Sequence, residues 1–257
     1  MKIALMDSGI GLLAAAAAVR GLRPDAELVL SHDPDGMPWG PRTPQDVTAR
    51  ALAVARAAAE HRPVALIVAC NTASVHALPA LRAAFEPGLP VVGTVPAIKP
   101  AAAGGGRIAV WATPATTGSP YQRGLIADFG AGADVTEVPC PGLADAVEHA
   151  DDEAIDKAVA AAAALTPRDV RALVLGCTHY ELVRERIAAA VAPGTLLYGS
   201  AGAVATQALR RAGLEPDPEA APAGPPAVLA SGRDAELPRA ALGYPEGLLL
   251  AMVGQPG

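Results

Sequence analysis

Two cysteines stand where apolar, strand-like runs end, and they are the residues of this sequence best suited to acid–base chemistry. Cys70 follows the run at residues 64–69, and Cys177 follows the run at residues 172–176. A thiol has an ordinary pKa of about 8.5, and its thiolate is a workable base when helix N-termini and hydrogen-bond donors stabilise it. Inverting a carbon acid requires a base on one face of the carbon and an acid on the other. Two opposed thiols would therefore suit the inversion of an amino acid at its α-carbon.

Small polar residues follow these and other apolar runs. In parallel α/β sheets, ligands bind outside the carboxyl ends of the strands, where helix N-termini direct their amides. The hydroxyl and amide side chains at such ends are suited to holding carboxylates: Ser8, Asn71, Thr72, Thr113, Thr116 and Thr178. Asp7, which ends the first run, and His179, two residues after Cys177, are candidates to orient the thiols or relay protons. Glu148, on a predicted helix after Cys140, is a third candidate.

Each of these candidates also has a structural interpretation. A cysteine at a strand end is often a small buried hydrophobe, which is our interpretation of Cys140 between its two prolines. Asp7 could cap the helix that follows it, a role that is compatible with a catalytic one, and Glu148 could lie on a solvated helix face. The C-x-H spacing at residues 177–179 is a poor zinc motif, because no second local pair of ligands accompanies it. We therefore predict no metal site.

The elements that must position these residues alternate between apolar strands and Ala/Leu/Arg-rich helices. Strands are predicted at residues 2–6, 27–31, 64–69, 90–94, 107–112, 134–138, 172–175 and 227–230. Helices are predicted up to about residue 21 and at residues 43–61, 72–85, 120–129, 143–149, 152–165 and about 181–191. Thr43 and Pro44 form a favourable N-cap and first helical residue. The alternation predicts parallel sheets with right-handed crossovers.

The two halves of the sequence resemble each other. Ile3–Leu5 matches Ile108–Val110 at an offset of 105 residues, and Ala65–Cys70 matches Ala172–Cys177 at an offset of 107. A loop insertion would absorb the difference, so we interpret the match as an internal duplication. The predicted fold class is α/β, with two similar parallel-sheet lobes that a pseudo-twofold axis relates across a cleft. The predicted lobes are residues 1–96 with 206–257, and residues 97–205.

Composition and charge argue against several classes of function. A chain of 257 residues is long enough for one or two packed domains. A net charge of −6 and 3% aromatic residues argue against binding to nucleic acid. The apolar runs are too short for a signal sequence or a membrane span, and three cysteines make no disulfide framework. We therefore predict a soluble, cytoplasmic protein. Of the few lysines, only Lys99 is a candidate for a Schiff base, so the composition disfavours pyridoxal phosphate.

Seven short motifs are spread over nearly the whole chain. They are D-S-G at residues 7–9, P-W-G at 38–40, C-N-T-A-S at 70–74, V-P-A-I-K-P at 95–100, A-T-x-x-T-x-x-S at 112–119, C-P-G-L at 140–143 and G-C-T-H-Y at 176–180. In type and order the motifs resemble those of the cofactor-independent glutamate racemases of the aspartate/glutamate racemase superfamily. Together they are a specific signal, whereas one motif alone would be a moderate one.

The resemblance implies interconversion of L- and D-glutamate by two thiols in a cleft between two α/β lobes. Cys70 would deprotonate the D-enantiomer and Cys177 the L-enantiomer, each acting as the acid in the reverse direction. Asp7 and His179 would assist the thiols, with Glu148 as a weaker helper. The residues implied to form the glutamate pocket are Ser8, Pro38, Trp39, Gly40, Asn71, Thr72, Thr113, Thr116 and Thr178. It further implies a homodimer without cofactor, whose product supplies peptidoglycan and so cell-wall biogenesis and cell shape.

The sequence departs from the family's pattern at three positions. Trp39 stands where tyrosine is usual, Leu12 where glycine is usual, and Glu181 where proline is usual. Trp39 would add bulk beside the pocket, and the charge of Glu181 could act on His179 or repel the substrate. His179 and Ser74 favour glutamate, because relatives acting on aspartate usually carry an acidic residue and a histidine at these positions.

Two further functions stay open at this point. A relative with another substrate, such as a different amino acid or an unsaturated diacid, would use the same pair of thiols. A non-catalytic amino-acid binder, or a protein that inhibits a partner, could share the fold and would need neither thiol.

Overall fold

The computed structural model describes residues 1–252, which fold into two compact units. Unit 1 contains Met1–Thr94 and the chain from Ala201 onward, and unit 2 contains Val95–Ser200. Among the residues described, no helix is both long and apolar enough to cross a bilayer. Within the same range, no group of three His, Cys, Asp or Glu side chains is arranged to hold a metal ion.

Unit 1 is built around a six-stranded sheet. Its strands are β1 (Lys2–Asp7), β2 (Glu27–His32), β3 (Ala65–Val68), β4 (Val91–Gly93), β9 (Ala227–Ala230) and β10 (Arg233–Ala235). They lie in the order β10-β9-β2-β1-β3-β4, and all neighbours are parallel except the β9–β10 hairpin. Strand β1 lies inside the sheet because residues 3–6 are apolar and completely buried on both faces.

Helices cover the sheet of unit 1. They are α1 (Leu13–Leu22), α2 (Pro44–Ala59), α3 (Asn71–His76), α4 (Leu78–Phe85), α11 (Ala201–Arg211) and α12 (Pro245–Met252), with a 3₁₀ turn at Ile10–Leu12 and another at Arg239–Gly243. Helix α2 packs against β1 and β2 and shares a core cluster with Ala4 and Met6. Ile3 and Leu5 point to the other face, because side chains alternate along a strand.

Unit 2 has a four-stranded sheet in which all neighbouring strands are parallel. Its strands are β5 (Ile108–Ala112), β6 (Val135–Pro139), β7 (Ala172–Leu175) and β8 (Leu196–Tyr198). Its helices are α5 (Ile98–Ala103), α6 (Pro120–Phe129), α7 (Leu143–Glu148), α8 (Asp152–Leu165), α9 (Thr178–Glu181) and α10 (Arg184–Ala190). Strand β5 is fully buried and lies between β6 and β7.

The two sheets repeat one strand order. Unit 1 contains β2-β1-β3-β4 and unit 2 contains β6-β5-β7-β8. Ile3 pairs with Ala65 in the first sheet, and Ile108 pairs with Ala172 in the second. These are the residues that the two sequence offsets match, so the topology supports an internal duplication. The prediction of an α/β fold with two similar parallel-sheet units is confirmed.

The helix predicted at residues 72–85 is divided into α3 and α4, so the prediction of a single helix was wrong. Ala77 separates the two helices, with φ of −110° and ψ of −16°. Pro79 lies in the first turn of α4. Proline has no N–H to donate to the carbonyl four residues earlier, and its ring crowds the preceding turn. A continuous helix through this segment is therefore disfavoured.

The helix predicted at about residues 181–191 begins earlier and is also divided. Helix α9 starts at Thr178, directly after Cys177, and α10 follows at Arg184. Val183, between them, has φ of −116° and ψ of 24°, which lies outside the helical range. His179 therefore lies in the first turn of a short helix.

Candidate active site

Two neighbouring strands of unit 1 lead directly to Asp7 and Cys70. Asp7 is the last residue of β1, and Cys70 follows β3 with extended backbone angles before α3 begins. The N–H of Ala69 donates to the carbonyl of Met6 at 2.8 Å, so the two strand ends lie side by side. Asp7 and Cys70 are therefore at the same edge of the sheet, as the sequence predicts for ligand-binding residues.

The carboxylate of Asp7 is completely buried at this edge. Its Oδ1 accepts hydrogen bonds from the N–H of Ser8 at 2.6 Å and from the Ser8 hydroxyl at 3.3 Å. The next helical turn has Gly9 as its N-cap, and glycine has no side chain with which to cap that turn.

The residues after Cys70 form the first turn of α3. Asn71 is buried and Thr72 is partly exposed. The first N–H groups of a helix have no partner inside the helix and are suited to receiving a carboxylate. The hydroxyl of Ser74 accepts a hydrogen bond from the N–H of Thr94 at 2.9 Å, which ties this turn to the chain after β4.

Unit 2 brings Cys177, His179 and Glu148 into one line of contacts. Cys177 Sγ lies 3.9 Å from His179 Nδ1, and His179 Nε2 lies 2.8 Å from Glu148 Oε2. The side chains of His179 and Glu148 are 7% and 12% exposed. Glu148 is the last residue of α7, which packs against α9. Glu148 is therefore on a buried face, which argues against its interpretation as a solvated acid.

The contact with Glu148 fixes where His179 carries its proton. A carboxylate accepts hydrogen bonds, so the proton of the neutral imidazole must lie on Nε2. The lone pair of Nδ1 then faces the Cys177 thiol. In this arrangement the ring can accept a proton from the thiol, and the carboxylate stabilises the imidazolium that results.

The predicted threonines of unit 2 lie on two neighbouring strand ends. Thr113 and Thr116 belong to the loop after β5, where their hydroxyl oxygens are 3.2 Å apart. The N–H of Thr116 donates to the carbonyl of Thr113 at 2.9 Å, which closes a turn. Thr178 is buried in the first turn of α9, directly after Cys177. Strands β5 and β7 are adjacent, so these three threonines share one edge of the sheet with Cys177.

Cys140 is a buried thiol of a different character. Burial, followed by the neighbouring Cys177, raises the pKa of the Cys140 thiol to about 12, and its Sγ donates to the carbonyl of Val138 at 3.6 Å. A thiol with so high a pKa stays protonated near neutral pH and is a poor base. This favours the structural interpretation of Cys140.

The P-W-G segment of unit 1 turns its aromatic ring inward. Trp39 is 1% exposed and belongs to the core cluster of unit 1, whereas Pro38 is exposed. The indole Nε1 donates to Asp33 Oδ2 at 3.0 Å. The side chain of Trp39 therefore offers almost no surface to a ligand, and the backbone of residues 38–40 is what the segment presents.

The sequence reasoning missed Asp33 and the role of Ser200. Asp33 directly follows β2, and the survey of strand ends that singled out Asp7 would have found it had it included β2. Glu181 Oε1 accepts hydrogen bonds from the N–H and the hydroxyl of Ser200, both at 2.8 Å. The Glu181 carboxylate is thus engaged with Ser200, while the carboxylate partner of His179 is Glu148.

Comparison with known proteins identifies the family. Residues 12–208 match the model of a family described as Asp/Glu/Hydantoin racemase. The chain belongs to this racemase family. Membership confirms the resemblance predicted from the motifs, and it makes the protein an isomerase. Cys70 and Cys177 thus belong to a member of a family whose reaction is the inversion of a carbon centre.

Individual relatives of this family member are glutamate racemases. The glutamate racemase of Sphingopyxis alaskensis is 37% identical over 213 residues, which are 79% of this chain and 79% of the relative. The glutamate racemase of Escherichia coli O139:H28 is 36% identical over 214 residues, which are 79% of this chain and 73% of the relative. A crystal structure of Escherichia coli glutamate racemase in complex with L-glutamate and the activator UDP-MurNAc-Ala has a TM-score of 0.80 at 29% identity, covering 94% of this chain and 91% of that one.

Proposed function

We propose that the protein interconverts L- and D-glutamate, using Cys70 and Cys177 as its two acid–base groups. The observation that carries the proposal is the line of contacts from Cys177 through His179 to Glu148, in a racemase-family chain whose similar relatives are glutamate racemases. The second thiol follows the equivalent strand of unit 1, at the edge where Asp7 also lies.

The proposed reaction moves one proton off the α-carbon and another onto it. With D-glutamate, the thiolate of Cys70 takes the Cα proton and becomes a thiol, and the electron pair of the broken C–H bond stays on the substrate. The Cys177 thiol then donates its proton to the opposite face, which leaves a thiolate and gives L-glutamate. In the reverse direction the two thiols exchange roles. Every proton and electron pair is accounted for without a cofactor.

The side chains beside the thiols have separate roles in this proposal. His179 takes the proton of Cys177 when a thiolate is needed, and Glu148 stabilises the imidazolium. Asp7 assists Cys70 at the edge of the other sheet. The α-proton of an amino acid is far less acidic than a thiol, so the site must also stabilise the carbanion with donors aimed at the α-carboxylate.

Glutamate itself would be held by small polar groups. The proposed binding residues are Ser8, Pro38, Trp39, Gly40, Asn71, Thr72, Thr113, Thr116 and Thr178. Hydroxyls, side-chain amides and the amides of the first turns of α3 and α9 all donate hydrogen bonds, which suits a substrate with two carboxylates. Trp39 would contribute its backbone, since its ring is buried.

The biological setting follows from the product. D-glutamate would supply peptidoglycan assembly, and so cell-wall biogenesis and cell shape. The mechanism needs two reduced thiols, so we place it in the cytoplasm, where thiols stay reduced. We also propose a homodimer, as the resemblance to the racemases implies.

Heavy water provides the test of this function. The purified protein, with a chelator and without added cofactor, is incubated in deuterium oxide with L- or D-glutamate. Proton NMR then follows loss of the Cα proton, and circular dichroism follows inversion. We expect exchange and inversion from either enantiomer, and none with L- or D-aspartate. A folded, reduced protein that inverts aspartate but leaves glutamate unchanged would overturn the substrate assignment, and inactivity with both would overturn the proposal.

A further inference from the structure

A buried carboxylate of unit 1 that the proposed chemistry does not use holds three segments of the chain together. Asp33 is 4% exposed. Its Oδ2 accepts hydrogen bonds from Trp39 Nε1 at 3.0 Å and from Arg50 Nη1 at 3.2 Å. Its Oδ1 accepts a hydrogen bond from the hydroxyl of Ser231 at 2.9 Å. Both oxygens of this carboxylate are thus occupied by donors.

The three donors come from different elements. Trp39 lies in the loop between β2 and α2, Arg50 lies in α2, and Ser231 lies in the turn of the β9–β10 hairpin. A carboxylate buried without such partners would carry a large desolvation cost. Separating any one of the three donors from Asp33 is therefore unfavourable. Asp33 therefore fixes the loop against the helix on one side and the hairpin on the other.

Neighbouring residues of the loop make further hydrogen bonds and pack closely against this carboxylate. The N–H of Asp35 donates to the Ser231 hydroxyl oxygen at 3.2 Å, and Arg42 Nε donates to the carbonyl of Gly36 at 2.5 Å. A Cβ atom at Gly36 would overlap Asp33 Oδ2 and Arg50 Nη1. Residue 36 must therefore be glycine for the ion pair to form beneath it.

The same contacts determine what the P-W-G segment can present to a ligand. The ring of Trp39 points into the core of unit 1 and ends at Asp33, so the ring is an anchor and not a contact surface. The contact between the indole and Asp33 therefore determines the position of the backbone on either side of Trp39. Without this hydrogen bond, the P-W-G segment would lose the polar contact that fixes the position of its tryptophan ring in the core.

We propose that Asp33 is a positioning residue, which holds the Trp39 indole and thereby places the backbone of residues 38–40 for binding of the substrate amino acid. The inference rests on the proposed function, which assigns this segment to the glutamate pocket. Asp33 lies behind the segment and acts through Trp39. Its loss should therefore weaken binding of substrate and leave the proton transfers at the thiols largely intact.

The first test observes the anchor directly. The sequence has two tryptophans, Trp39 and Trp111, and therefore two indole N–H resonances. Trp111 donates to the Thr166 hydroxyl at 2.8 Å in unit 2 and is an internal control. In Asp33→Asn, the amide can offer a donor where the indole needs an acceptor, so we expect the Trp39 resonance to move upfield while that of Trp111 stays. Asp35→Asn is the matched control, since the Asp35 carboxylate bonds to Arg233 at the surface.

The second test separates binding from chemistry. We expect Asp33→Asn to raise KM about tenfold for both enantiomers with kcat within about threefold, the size expected for loss of a hydrogen bond to a charged group. Trp39→Phe removes the indole donor together with part of the buried ring, and should raise KM by at least a similar factor. The double variant should be no worse than the more affected single variant, because both changes remove one contact. Trp39→Tyr, which restores a donor, should recover part of the loss.

The outcomes are distinguishable from failure of the proposed function. An unchanged KM in both single variants, or a fall in kcat without a rise in KM, would overturn the positioning role. If Asp33→Asn does not fold, Trp39→Phe and its rescue by Trp39→Tyr decide the question. If the wild type does not racemise glutamate, the proposed function fails. In that case the indole spectrum still shows whether Asp33 holds Trp39, and an unmoved resonance would overturn the anchor.

Discussion

In the proposed mechanism, Glu148 determines which nitrogen of His179 accepts a proton from the Cys177 thiol. Its carboxylate lies 2.8 Å from His179 Nε2, which leaves the Nδ1 lone pair on the side of Cys177. Without an acceptor at Nε2, the neutral ring could place its proton on either nitrogen, and only one of these tautomers can receive a proton from the thiol. The proposed mechanism therefore depends on a residue that acts through His179.

Glu148→Gln tests this dependence. We expect kcat to fall about 10- to 100-fold with little change in KM, because a hydrogen bond involving charged groups contributes about 1.5–3 kcal/mol. The two enantiomers have equal free energies in water, so kcat/KM must fall by the same factor in both directions. Racemisation rates from both enantiomers, followed by circular dichroism, give the measurement.

Asp145→Asn is the matched control for that variant. Asp145 lies on the same helix, and its side chain is 72% exposed. The substitution removes the same charge and should leave both constants unchanged. A Glu148→Gln enzyme with wild-type kcat would contradict the role given to Glu148.

At the scale of residues, the sequence indicated which side chains to examine but not which of them meet. Cys177 and His179 are two residues apart, so their proximity could be predicted from the motif. Glu148 lies 31 residues from His179 along the chain, and only the packing of α7 on α9 brings the two together. The partners of Asp33 are likewise spread from residue 39 to residue 231, so only the fold shows which side chains it contacts.

At the scale of elements, the first turns of two helices position several of the candidate site residues. Helices α3 and α9 each begin directly after a cysteine, which sits in extended backbone before the first turn. Helix α2 anchors the far end of the loop that carries Trp39. Its N-cap was predicted from the sequence and is confirmed: Thr43 Oγ1 accepts the N–H of Asp46 at 3.2 Å, and Pro44 is the first helical residue.

Thr43→Ala should lower the free energy of unfolding by about 1 kcal/mol, which is typical for loss of an N-cap side chain. Urea unfolding followed by circular dichroism measures the change. Thr206→Ala is the control, because its hydroxyl bonds to the carbonyl of Gly202 inside α11 and caps no helix start. The control should lie within about 0.5 kcal/mol of the wild type. Equal effects from the two variants would argue that the cap does not stabilise α2.

The pattern of residues predicted the buried strands well and the small or short elements poorly. Strands β1, β3, β5 and β7 are continuous apolar runs, and all four were predicted. Helix α11 was not predicted, although its buried residues Val204, Ala205, Ala208 and Leu209 recur at helical spacing. Strand β8 has only three residues, too few for a pattern. The break between α3 and α4 depends on one proline whose effect was overlooked.

At the scale of the whole molecule, unit 1 consists of two stretches of the chain, and unit 2 lies between them in the sequence. The segment from Ala201 onward returns to unit 1 and adds β9 beside β2. The turn after β9 supplies Ser231, which bonds to Asp33. The residues proposed to bind glutamate include Thr72 in unit 1 and Thr178 in unit 2.

The proposed function assigns Thr72 and Thr178 to the binding of glutamate. We expect Thr72→Ala and Thr178→Ala each to weaken glutamate binding about 3- to 10-fold, since a typical net hydrogen bond contributes about 0.5–1.5 kcal/mol. Isothermal titration calorimetry gives the Kd, with Thr206→Ala as the control. Unchanged affinity in either variant would contradict the binding role proposed for that threonine.

The central claim, inversion by two thiols, is tested most directly by replacing each cysteine in turn. Cys70→Ser, Cys177→Ser and Cys140→Ser are compared with the wild type in deuterium oxide, with exchange followed by NMR and inversion by circular dichroism. General acid–base groups contribute about 10²–10⁴-fold. We therefore predict that Cys70→Ser and Cys177→Ser each lose inversion by at least about 10²-fold, while Cys140→Ser stays within about twofold of the wild type. Near wild-type inversion by Cys70→Ser or by Cys177→Ser would contradict the two-thiol account.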